Sequence, residues 1–156
     1  MQYIYYENNM TIACKIYMTD NSTVNNTADS TMAEIAVLDT TNVTINEGGF
    51  TFTTTAITVP DTGIYRISST CYLESTVARS CVVNGFAING VFQSERSGTG
   101  YIRASSGHNE ASLHLTAIYN LTASDDISLI FGREAQTGTV NLQGAESAIN
   151  IIKLSD

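Results

Sequence analysis

A chain of 156 residues has room for one domain with its own hydrophobic core. Its net charge of −8, with seven Lys and Arg residues scattered along it, lacks the basic stripe that nucleic acid requires and repels an anionic membrane surface. Only 14% of residues are charged, one is proline and none is tryptophan; the polar residues are mostly Thr, Ser and Asn, a mixture that suits short strands and turns and fits helices badly.

Residues 1–31 read as an N-terminal extension. They open on Tyr3, Ile4, Tyr5 and Tyr6, without the basic region or long apolar run of a secretion signal. A short alternating run over 11–18 follows, with Ile12, Ile16 and Tyr17, and then a polar tract over 19–31 with almost no large apolar side chain. The expectation is a partner-binding arm anchored by Tyr3, Tyr5, Tyr6, Ile12, Ile16 and Tyr17, ahead of a folded domain over 32–156. Within that domain, strand-like runs fall at 33–38, 42–45, 50–53, 56–59, 63–73, 79–92, 101–104, 110–121, 126–133 and 145–154, with Gly, Pro, Asn or Asp in nearly every gap. Short strands at such spacing predict an all-β sandwich or barrel.

Alternation is clearest in three of these runs. Over 63–73, Tyr65, Ile67, Cys71 and Leu73 share a face, opposite Arg66, Ser68 and Thr70. Over 110–121, Leu113, Leu115, Ala117, Tyr119 and Leu121 oppose Ser112, His114, Thr116, Ile118 and Asn120. Over 145–154, Ile149 and Ile151 oppose Ala148, Asn150 and Ile152. Successive strand side chains point to opposite faces, so the first set in each run is predicted to be core. A slip of one residue would bury Arg66 and His114, which fixes the register.

Three segments resemble the tumour-necrosis-factor and complement globular-head superfamily of jelly rolls. Val59-Pro60-Asp61-Thr62-Gly63-Ile64-Tyr65 is similar to the family's V-P-x-x-G-x-Y, which leads into alternating apolar residues. Residues 113–129 resemble its hairpin, in which a long strand ends at Leu, a Gly-Asp turn follows and Ile-x-Leu resumes; here Ser124 stands where the family has glycine. The run 144–154 is similar to its closing strand. The resemblance covers about 33–156 and implies a two-sheet jelly roll that assembles as a homotrimer. Carried over to this chain, it places Arg66, Ser68, His114, Thr116, Ile118, Ala148, Asn150 and Ile152 at the trimer interface. Arg66, Ser68, His114 and Ala148 depart from the aromatic residues usual there. Ile118 and Ile152 support burial independently, as large apolar side chains on an outward face.

No catalytic constellation is legible. His108 and His114 have no Cys, Asp or Glu at ligand spacing, and the expected state of His114 is a hydrogen-bonded strand histidine, with no metal or other cofactor. Asp125-Asp126 suits a tight turn, and Gly98-Thr99-Gly100 lacks the strand–helix context of a phosphate cradle. Cys14, Cys71 and Cys81 are an odd, widely spaced set that reads as free thiols. The expectation is therefore a non-enzymatic virion protein of a bacteriophage, made in the host cytoplasm. As a trimeric capsid decoration or cement protein it would bind the major capsid protein or another virion protein through residues 1–31, and not nucleic acid or membrane. The alternative is the receptor-binding tip of a tail fibre or spike, in which loops over 94–100 and 103–109, with Tyr101, contact a host glycan or protein.

Overall fold

The structure, a computed structural model, describes residues 11–19, 23–25, 32–96, 100–134 and 139–156. In chain order its strands are β1 (Ala13–Met18), β2 (Thr23–Asn25), β3 (Met32–Ile35), β4 (Leu38–Glu47), β5 (Thr51–Phe52), β6 (Ile57–Thr58), β7 (Gly63–Ser75), β8 (Ser80–Ile88), β9 (Val91–Arg96), β10 (Gly100–Ile102), β11 (Glu110–Leu121), β12 (Asp126–Glu134), β13 (Thr139–Leu142) and β14 (Ala148–Ser155). A 3-10 turn, Gly144–Glu146, leads into β14. The strands form two antiparallel sheets, the all-β sandwich that the alternation predicts.

In the first sheet the order is β2-β13-β7-β14-β1-β4, with β11 on the other side of β7. In the second it is β10-β8-β12-β6-β5, with β9 also on β8 and β3 also on β12. Every odd-numbered residue of β7 from Gly63 to Ser75 is buried, whereas the even-numbered ones are exposed or half-buried. Tyr65, Ile67, Cys71 and Leu73 meet Val82, Phe86, Leu129 and Phe131 of the second sheet in one apolar core. Two edge-on ring pairs tie it laterally: Phe50 to Tyr65 and Phe86 to Tyr119, each with centroids 6.4 Å apart. The buried Tyr65 hydroxyl donates to the Asp61 carbonyl at 2.7 Å, so its one polar atom is satisfied.

The boundary expected at residue 32 is corrected by β1. This strand lies between β14 and β4, with Ile16 opposite Ile149 and Cys14 opposite Ile151. Cys14, Ile16 and Met18 are fully or nearly fully buried, and Ile12 packs against the same core. Ile12 and Ile16 are thus part of the sandwich and cannot anchor an outside partner; the physical reason is that the sheet between β14 and β4 would otherwise lack a strand. Tyr3, Tyr5 and Tyr6 lie outside the described residues. Residues 42–45 are part of the longer β4, while 79–92 divides at Asn89-Gly90, both in left-handed backbone (φ 51° and 76°), the geometry of a two-residue hairpin turn. Strands β2 and β13 were not expected from the pattern.

This burial has measurable consequences. Ile16→Ala should cost about 2–5 kcal/mol in urea unfolding, as for other buried aliphatic truncations; a true arm residue would cost almost nothing. The thiols should also differ. Burial pushes Cys14 and Cys71 up to about 12, whereas Cys81 is half-buried. Iodoacetamide on the native protein should modify Cys81 alone, and all three after unfolding. Below about pH 9, the ordinary thiol value, both deeply buried thiols hold their protons folded or unfolded. Above it only the unfolded chain releases them, so stability should fall as the pH climbs towards 12.

Candidate functional site

The outer face of the first sheet is a ladder of rows that run across β11, β7, β14, β1 and β4. One row reads Ile118, Arg66, Ile152, Ala13, Glu47. The next reads Thr116, Ser68, Asn150, Lys15, Ile45, and the third His114, Thr70, Ala148, Tyr17. All eight residues assigned by resemblance to an interface therefore share one face of one sheet. Their sequence separation is large, and only the antiparallel register brings them side by side.

Apolar exposure is concentrated at one end of this face. Ile118 is 61% exposed. Ile64, on the same side of β7 as Arg66, is exposed, as is Ile45 beside Lys15 at the β4 edge, and Leu154 is exposed where the register shifts at the end of β14. All three fall within the expected strand runs, at or near their ends, where the alternation was not carried through to an outward assignment. Exposed apolar side chains clustered on adjacent strands mark a surface that another molecule covers. One assigned residue fits this poorly: Ala148 is only 7% exposed, a small side chain between Thr70 and Tyr17 in the ladder, and has little surface left to give. Tyr17, expected in the arm, instead lies on this face with the Lys15 ammonium 4.9 Å from its ring centre.

The polar middle of the face is internally paired. His114 shares a hydrogen bond with the Thr70 hydroxyl at 3.2 Å and a longer one with Ser112 at 3.5 Å. Among the described residues no three His, Cys, Asp or Glu side chains are placed to hold a metal ion. Asp125 and Asp126 form the expected turn: Asp125 accepts from the Thr122 amide at 2.8 Å and from Asn89 at 2.8 Å, and Asp126 accepts from Thr58 at 2.6 Å. Ser124, in the family's glycine position, takes left-handed backbone (φ 74°).

One rung beyond His114 and Thr70, the pair Ser112 and Tyr72 leads into a cleft of about 410 Å³ at the end of the sandwich. Its walls are Tyr72, Tyr101, Arg103, Gly107, His108, Glu110, Ala111 and Ser112. Strand β10 is close enough to β11 to frame the cleft because residue 100 is glycine; a Cβ there would come within 2.6 Å of Leu113. The Tyr72 hydroxyl donates to Glu110 at 2.5 Å, and that carboxylate holds the phenol's proton more firmly than usual. Arg103, His108 and Tyr101 come from the region that the sequence singled out as contact loops; Tyr72 and Glu110 were missed, since no local pattern announces that two strand ends will converge. The loop residues 97–99 lie outside the described residues.

No family model matches this chain, and no curated protein matches it. Solved structures do. The Eiger TNF of S. frugiperda superposes with a TM-score of 0.60 at 18% identity, over 95% of this chain and 95% of that one. Murine APRIL superposes with a TM-score of 0.58 at 15% identity, over 92% of this chain and 99% of that one. The fold of the chain is that of a TNF-like jelly roll.

Proposed function

We propose that the protein is a non-enzymatic homotrimer that decorates a larger particle, as a capsid decoration or cement protein of a virion does. The observation that carries the trimer is the apolar end of the outer face, where Ile118, Ile64 and Ile152 lie on the adjacent strands β11, β7 and β14. In its three central rows the ladder has two cations, Lys15 and Arg66, and one carboxylate, Glu47, at the outer edge, so most of the face loses little on desolvation. The TNF-like fold supports threefold assembly through this sheet. A threefold block suits the threefold positions of a shell, and the aromatic opening with Tyr3, Tyr5 and Tyr6 is the segment left to dock on a neighbouring capsid subunit. Bacteriophage origin and virion location belong to this proposal.

A second reading, a receptor-binding tip, is favoured by the cleft between β10 and β11 with its exposed Tyr101. The two readings share the trimer and differ in which end does the binding.

Sedimentation of the purified chain should give a trimer, and Ile118→Asp should give a monomer with an unchanged β spectrum, because each desolvated carboxylate in the interface costs several kcal/mol. A monomeric wild-type chain would sink the proposal. For the decoration role, trimer added to shells that lack it should raise their rupture temperature. Removing residues 1–10 should abolish that effect and leave the trimer intact; retention of shell binding without them would exclude docking through this segment.

A further inference from the structure

The cleft at the end of the sandwich has a chemistry that the trimer does not use. From this geometry we infer that it is a carbohydrate site for a neutral pyranose. The inference deepens the receptor-binding reading and rests on it, not on the capsid reading.

The walls combine the two features by which proteins hold sugars. Tyr101 is 57% exposed, a large ring area left in water on a strand that is otherwise well packed, with Ile102 next to it fully buried. A pyranose has a face of C–H groups that covers such a ring and an equator of hydroxyls that needs both donors and acceptors. The cleft has both: Arg103 and His108 donate, Glu110 and Ser112 accept, and the Ser112 hydroxyl does either. Its volume of about 410 Å³ falls in the range of small-ligand sites.

Charge selects among ligands. Glu110 lines the same cleft as Arg103, and a second cleft that shares Tyr72 and Glu110 adds Glu74 and Glu146. A phosphate or a strongly anionic chain would meet these carboxylates in a protein already at −8. A peptide would find few apolar contacts beyond Ala111 and the tyrosine rings. A neutral sugar meets neither obstacle.

The site is also tied in place before any ligand arrives. The Ala104 amide donates to the His108 carbonyl at 3.2 Å, and the Arg79 amide to the Arg103 carbonyl at 3.3 Å. The Ser75 amide donates to the Asn109 carbonyl at 2.8 Å, and the Asn109 side-chain amide to Glu74 at 2.6 Å. Segment 103–109 is thereby fastened to β7 and to the turn before β8, so little ordering entropy remains to be lost on binding.

The test is titration of the isotope-labelled full chain with the methyl glycosides of glucose, galactose and N-acetylglucosamine, followed by amide chemical shifts and by saturation transfer to the sugar. At least one of the three should move the amides of Tyr101, Arg103, His108 and Ser112 together. Tyr101→Ala should weaken that binding about tenfold, the scale of one aromatic contact, and Tyr101→Phe should retain most of it. Arg103→Gln should weaken it while leaving the spectrum folded. Absence of shifts at these residues with all three sugars overturns the site, as does unchanged affinity in Tyr101→Ala. Sedimentation of the same samples reports the trimer separately, so loss of sugar binding in an intact trimer counts against this cleft and not against the assembly.

Discussion

The structure depends on a single strand whose side chains point alternately in two directions. β7 is thirteen residues long and is the one element bonded to β11 on one edge and to both β14 and β13 on the other. Its inner row, from Tyr65 to Leu73, is the apolar floor against which the second sheet closes. Its outer row, Ile64, Arg66, Ser68, Thr70 and Tyr72, runs from the apolar end of the outer face to the rim of the cleft. Shifting this strand by one residue would put Arg66 in the core and Tyr65 in water, and the outer ladder and the cleft would be lost together.

That dependence explains how much of the molecule was legible. Where a strand is long and half-buried, period-two alternation is strong, and β7, β11 and β14 were readable with their faces correctly assigned. The ladder that joins those faces could then be anticipated from resemblance. β1 carried the same signal in miniature, Cys14, Ile16 and Met18 at alternate positions, but its six residues are followed by a polar tract, and adjacency to that tract outweighed a short pattern. The Asn89-Gly90 turn was also present as a dipeptide, overlooked because apolar residues continue on both sides of it.

The cleft was legible only in part, for a different reason. Tyr101 belongs to β10 of one sheet, with Arg103 just after that strand, whereas Tyr72, Glu110 and Ser112 belong to the other sheet. Their proximity arises from the packing of the two layers, and packing between layers leaves no periodic mark in either segment. The same holds for Ile45 and Ile64, which come onto one face only after three registers have been set.

The position of β1 has a consequence for how the protein is made. Residue 13 pairs with residue 152, so the strand at one end of the described chain is completed only by the strand at the other. During synthesis β1 leaves the ribosome early and must wait, with Ile16 and Met18 uncovered, until β14 has emerged to flank it. Closure of the first sheet therefore waits on a pairing between segments far apart in sequence, with the high contact order that makes β-sandwiches slow to fold. Until that pairing forms, β1 offers an unpaired edge of the kind that other chains can capture.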